Sequence, residues 1–207
     1  MTDALSRTYG DGCAIAHALD LVGERWALLV VRELLLGPKR FSDLQAGVPN
    51  ARPNMLAQRL RDLEGTGLVR RRKLGPPARA QVYELTERGQ ELEPILLALG
   101  DWGRRSPLMS RDARIGTDSL LLALKTHFDP GRWRGAPAVY GVELDDDVFT
   151  VRAGDELVIQ RGEPADPDAT IRADPDNFRA VFVTGQQREL DLTGDEDAVR
   201  RLVAAVT

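Results

Sequence analysis

Apolar residues follow two rhythms along this chain. In the first half they recur at helical spacing, and from about residue 139 they come in short strand-like runs. The stretch 52–73 organises the rest. Leu56, Leu60 and Leu63 fall at i, i+4 and i+7, which stacks them on one helix face. Asn54, Gln58 and Arg61 fall opposite, with Met55, Arg59 and Asp62 on the flanks. Pro53 suits the first helical position, where its missing N–H costs nothing. Gly65 and Gly67 supply a stop and a turn. The chain then enters Leu68, Val69 and four consecutive cations, Arg70 to Lys73.

Three helices are expected before this stretch. The first covers 13–21, with Ile15, Leu19 and Val22 inward and Asp11 near its N-cap. The second covers 25–36 and is apolar over most of its circumference, so it should be the buried central helix. The third is short, 42–46, with Ser42 as N-cap and Phe41 as a hydrophobic lead-in. After the central stretch, 69–74 and 80–85 read as antiparallel strands. The tip between them, Gly75-Pro76-Pro77-Ala78-Arg79, holds two prolines that forbid regular pairing. Thr86 should cap a last helix running to about Arg104, striped by Leu92, Ile95, Leu96, Leu99 and Trp102. That stripe exceeds what a small domain covers, so residues 91–104, with the first helix, are a candidate dimer element.

The second half predicts helix 117–127 with Thr117 as N-cap. Short strands follow over 139–144, 148–152, 157–161 and 169–172. A helix is expected over 175–183, a strand over 190–192, and a final helix beginning at Gly194-Asp195, with Val199, Leu202, Val203 and Val206 inward. The fold class is therefore α+β, with one domain over 1–107, a linker over 108–116 and a second domain over 117–207. The first twelve residues read as a loose arm or short cap.

Charge sharpens this division. The chain's formal net charge is −4, but residues 1–106 carry 16 Lys and Arg against 13 Asp and Glu, and residues 107–207 carry 12 against 19. Residues 39–79 alone hold 10 cations and 3 acids. Such asymmetry suggests an anion-binding module joined to something else. A single cysteine excludes an intrachain disulfide framework and fits a reducing cytoplasm. There is no apolar run long enough to span a membrane and no signal-like N-terminus, so a cytoplasmic location is expected. Catalysis is poorly supported. The two histidines belong to no motif, and there is no nucleophile elbow, phosphate loop or metal-ligand cluster. No metal and no cofactor are expected.

Three helices, a fourth presented outward and a two-stranded wing make a winged helix-turn-helix. The ordered pieces Cys13, G-E-R-W (23–26), R-F-S-D-L (40–44), L-A-Q-R-L-R-D-L-E-G-T-G-L-V (56–69), P-P (76–77), V-Y-E-L-T-E-R-G-Q-E-L (82–92) and W-G (102–103) resemble the HxlR-type transcriptional regulators. Two positions depart from that pattern: Glu24-Arg25-Trp26 stands where Gly-Lys-Trp is usual, and Ala14 where Pro often follows the cysteine. In the second half, A-D-P-D-A-T-I-R-A-D-P-D-N-F (165–178) and L-T-G-D-E-D-A-V-R-R-L (192–202) resemble the sterol-carrier-protein-2-like (SCP2-like) fold. That resemblance implies an apolar cavity between sheet and helices. Its candidate lining residues are Leu121, Leu124, Phe128, Trp133, Phe149, Phe178 and Phe182, and the alternative is that they simply fill a core.

The expected partner is double-stranded DNA, met by a homodimer, since two half-sites give specificity that one short helix lacks. Base reading is assigned to Asn54, Met55 and Gln58, with Arg61 as a further candidate, because Asn and Gln match adenine edges and Arg matches guanine. Arg40, Arg52, Arg59 and Ser42, with the amides that open its helix, should hold phosphates. In the wing, Arg72, Lys73 and Arg79 should reach the DNA backbone or the minor groove. Cys13 and His17 lie four apart, and some regulators of the resembled family sense oxidants through a cysteine at this place. Cys13 is thus a candidate redox sensor, with a small packing residue as the alternative. The reading is a repressor whose DNA binding answers to an apolar ligand or to Cys13. The alternatives are a constitutive DNA binder with a structural C-terminal domain, and a lipid carrier.

Overall fold

The computed structural model describes residues 8–76, 79–110 and 113–207. The expected arm over 1–7, the tip residues Pro77 and Ala78, and linker residues 111 and 112 lie outside the described residues. The chain divides into two compact units, Met1–Leu96 and Leu97–Thr207.

In the first unit the helices are α1 (Ala14–Val22), α2 (Ala27–Leu34), α3 (Phe41–Gly47) and α4 (Pro53–Gly65). Strands β1 (Val69–Lys73) and β2 (Gln81–Leu85) form the wing, α5 (Glu87–Gln90) follows, and α6 (Glu93–Arg104) begins in this unit and ends in the next. As its composition demands, α2 is central: Ala27, Val30, Val31 and Leu34 are buried. It packs against α3, α4 and β2. Before it, Trp26 sits at φ 76°, unusual for a bulky residue, with the Arg25 guanidinium 4.8 Å from its ring centroid. From α4, Leu56, Leu60 and Leu63 close the core. This helix ends in a Schellman arrangement. The Leu68 N–H donates to the Leu63 carbonyl and the Gly67 N–H to the Glu64 carbonyl. Gly67 takes the left-handed φ of 73° that the motif needs.

Three expectations are corrected here. Nothing on α1 is buried: Ile15 is 73% exposed and Leu19 45%. Helix α3 starts at Phe41 with Arg40 as its N-cap residue, so Ser42 caps nothing. The last helix is broken. Thr86 does cap, accepting from the Gly89 N–H, but α5 ends after one turn. Pro94 explains the break, since it lacks the N–H a continuous helix would donate to Gln90 and its ring would crowd that carbonyl.

The second unit holds α7 (Thr117–His127), β3 (Ala138–Leu144), β4 (Asp147–Ala153), β5 (Leu157–Arg161), β6 (Ala169–Ala173), α8 (Pro175–Phe182), β7 (Asp191–Gly194) and α9 (Glu196–Val206). The sheet order is β5-β4-β3-β6-β7, with β3 and β6 parallel and the other pairs antiparallel. Helices α7, α8 and α9 pack on one another and on β5 and β6. Asp174 caps α8 through the Asn177 amide, and Asp195 caps α9 through the Ala198 amide. Thr117 is not the N-cap of α7. Its hydroxyl donates instead to Asp147, which also receives Arg161, whose other arm meets buried Asp118.

Six of the seven residues expected around a cavity are buried, and Phe128 is half-buried. Leu121, Leu124, Phe149, Phe178 and Phe182 are at most 1% exposed. Phe178 stacks on Phe182 at 4.5 Å, and Phe128 and Trp133 meet with ring centroids 6.1 Å apart. A shallow groove lies elsewhere, between β7 and α9, lined by Leu190, Leu192, Val199 and Val203.

Candidate nucleic-acid interface

The leucine seam dictates which face of α4 meets solvent. With Leu56, Leu60 and Leu63 inward, Asn54, Met55 and Arg61 are exposed and Gln58 is half-buried. The Asn54 amide oxygen accepts the Met55 N–H at 2.9 Å, so its NH2 group faces outward. Gln58 is held at both ends. Its Nε2 donates to Asp62 Oδ1 at 2.7 Å, and its Oε1 accepts from Arg61 at 2.6 Å.

Arg59 does not stand at the margin as a phosphate anchor. It is 9% exposed. Its guanidinium pairs with Asp62 at 3.1 Å and with Glu24, from the turn before α2, at 3.6 Å. Its Nε is buried without a partner among the described residues. A buried cation with two acids belongs to the scaffold, tying α4 to that preceding turn.

The short helix α3 is also less inviting to phosphate than its N-terminus suggested. The Asp43 carboxylate accepts the Arg40 N–H at 3.0 Å and the Ser42 hydroxyl at 3.0 Å. An acid already occupies the site that a phosphate would need, so Ser42 loses that role. The Arg40 and Arg52 side chains are exposed, flanking α3 and opening α4.

In the wing the register sets Arg70 opposite Glu84 and Arg72 opposite Val82. Arg70 and Arg72 therefore share a face, and both reach Glu84, at 2.8 and 2.7 Å. Arg71, on the other face, pairs with Glu64 at 2.7 Å and lies 5.3 Å over Tyr83. Lys73 and Arg79 are exposed. Glu84 holds two guanidiniums side by side, each keeping further N–H groups free. Sequence reasoning passed it over, although an acid in the facing strand opposite two arginines at i and i+2 was a usable signal once the register was known.

Another buried acid was missed. Glu33 on α2 is 3% exposed, takes the Lys39 ammonium at 2.7 Å and receives Arg32 at 2.7 Å. Arg32 also donates to the Gly47 carbonyl at 3.2 Å. A side chain at Gly47 would collide with Glu33. The Lys39 backbone pairs with Tyr83 of the wing. One carboxylate thus ties α2 to the end of α3 and to the root of the wing.

Cys13, the N-cap residue of α1, is exposed. The Ala16 and Ile15 amides at the start of α1 hold its thiol below the ordinary value. The cause is the helix terminus. Among the described residues there is no cluster of metal-binding side chains, and no helix is long and apolar enough to cross a membrane.

The model of the HxlR-like helix-turn-helix family matches residues 21–109. The chain is similar to the HTH-type transcriptional regulator YdeP of Bacillus subtilis, at 36% identity over 46% of this chain and 74% of YdeP. It is similar to YkvN of the same organism at 40% identity, over 44% of this chain and 77% of YkvN. Among solved structures, the reduced form of the regulator YodB from B. subtilis aligns at 31% identity, covering 47% of this chain and 97% of YodB, with a TM-score of 0.42. The two curated relatives match over most of their own length and less than half of this one. With its winged helix-turn-helix unit, the chain belongs to the HxlR-like helix-turn-helix family of transcriptional regulators.

Proposed function

We propose that this chain is a sequence-specific, cytoplasmic DNA-binding repressor that works as a homodimer. The observation that carries the reading is α4, which buries a leucine seam and presents Asn54, Met55, Gln58 and Arg61 together. This face enters the major groove, where its side chains meet base edges directly or position a neighbour that does. Arg40, Arg52, Arg72, Lys73 and Arg79 hold phosphates and supply the salt-dependent affinity. The dimer forms through α1 and α6, whose apolar side chains Ile15, Leu19, Ile95, Leu99 and Trp102 are all exposed. Fluorescence anisotropy with the duplex upstream of its own gene tests the reading. Tight, salt-sensitive binding that exceeds binding to random duplex is expected, and equal affinity for both overturns it.

The second unit is read as an SCP2-like module over 117–207, a reading supported by its order of helix, three-stranded meander, strand, helix, strand and helix. Release from DNA answers either to modification of Cys13 or to a ligand of this module. The full burial of Leu121, Leu124, Phe149, Phe178 and Phe182 favours the second reading, in which the module is structural and the regulator binds DNA constitutively. Native mass spectrometry of the purified chain separates these. A co-purified apolar ligand supports gating, and a bare protein whose DNA binding ignores diamide supports the constitutive binder.

A further inference from the structure

Five charged or amide side chains form one line across α4: Glu24, Arg59, Asp62, Gln58 and Arg61. Their chemistry fixes the polarity of the line. The Asp62 carboxylate only accepts, so Gln58 must turn its NH2 toward it. The Gln58 oxygen then faces Arg61, and the 2.6 Å bond to that guanidinium follows. Asp62 is itself pinned by buried Arg59 at 3.1 Å. The line therefore runs through buried Arg59 to the exposed cation of Arg61.

The geometry points to Arg61 as the reader of a guanine in each half-site, with Gln58 as its positioning residue and not a reader of adenine. This rests on α4 being the recognition helix. Gln58 has one N–H and one oxygen lone pair already engaged within the helix. Arg61 has five N–H donors and spends one on Gln58, which leaves a fork that matches the O6 and N7 acceptors of guanine. Holding the guanidinium before DNA arrives removes part of the entropy cost of ordering a long side chain on binding.

Selection of bound sites from a randomised duplex library tests this with the full chain and its Arg61→Ala, Gln58→Ala and Gln58→Glu variants. The wild type should enrich a motif with guanine at one position per half-site. Arg61→Ala should lower that preference roughly ten-fold while leaving the other positions intact. Gln58→Ala should weaken the preference at the same position. Gln58→Glu keeps an acceptor for Arg61 while losing the donor to Asp62, so it should retain more of the guanine preference than Gln58→Ala without changing any other preferred base.

Different results overturn the assignment. If Gln58 reads a base itself, Gln58→Ala will erase an adenine that Arg61→Ala spares, and Gln58→Glu will move that position toward cytosine. If Arg61 only anchors backbone, Arg61→Ala will weaken random and selected duplexes equally. A wild type that enriches no motif at all removes the recognition-helix reading on which the proposal stands. The three variants can be checked for retained helix by circular dichroism, so a loss of binding through unfolding is visible as such.

Discussion

Arg59 and Arg61 differ by two residues and by nearly everything else. A two-residue step turns a helix by about 200°, which carries one guanidinium inside and leaves the other in water. Arg59→Ala should cost roughly 1–3 kcal/mol of stability, because the packing of a buried side chain and its contacts with two half-exposed acids vanish together. Urea unfolding should show a lower midpoint at unchanged slope, and an unmoved midpoint would return Arg59 to the surface. Cys13 makes a kinetic prediction. Its thiol titrates below the ordinary cysteine value because helix amides stabilise the thiolate. Iodoacetamide should therefore label it at lower pH than an unstructured cysteine, with Cys13→Ser giving no label. A labelling profile that matches a free thiol would remove the helix-terminus effect. His127 gives the sign for pH. Burial, then the nearby Arg104 charge, lowers its pKa from 6.5. The native state then binds fewer protons than the unfolded state, so this contribution is present above about pH 6.5 and fades as pH falls through the lowered value. Calorimetry of the full chain should show stability falling below neutrality, with a shallower fall in His127→Gln. The outward face of α4 was legible from the leucine spacing, but the burial of Arg59 was not. Its position on the flank is settled by Glu24, which comes from another turn of the chain.

At the level of elements the wing is the clearest lesson. Of four successive cations, Arg72 and Lys73 are the two that the sequence assigns to DNA contact. Antiparallel pairing splits the four between faces and supplies acids to three of them: Glu84 for Arg70 and Arg72, Glu64 for Arg71. Arg72 is still 49% exposed in its side chain, so it can meet a phosphate while leaning on Glu84. Arg72→Ala should weaken all duplexes alike and reduce the salt slope by about one. Affinity titrations at several salt concentrations check this, and a sequence-selective loss would assign Arg72 to base reading. The broken last helix teaches the same point from the backbone. Its apolar stripe ran unbroken through residues 92–102, and periodicity does not register that Pro94 lacks a donor.

For the whole molecule, the exposed apolar faces of α1 and α6 call for a partner. Ile95 is 57% exposed and Trp102 69%, which a monomer in water does not favour. Trp102→Glu should shift the chain to monomer in sedimentation and weaken operator binding at least ten-fold, because one half-site binds alone. A dimer that survives this change places the interface elsewhere.

What the amino-acid order determined by itself was local. Hydrophobic period, proline and glycine stops, and Asp and Thr caps specify most elements of both units to within a residue or two, because each depends on neighbours a turn or a strand away. The helix proposed to face DNA and its outward face were legible at the same level. Tertiary structure alone decided which charges are spent inside the protein. Arg59 on Glu24 and Asp62, Lys39 on Glu33, and Arg70 and Arg72 on Glu84 are pairs made by residues 3 to 35 positions apart. It also decided that the aromatic residues of the second unit close on one another as core, since whether a set of apolar side chains leaves a cavity depends on how helices and sheet approach, and periodicity carries no record of that distance.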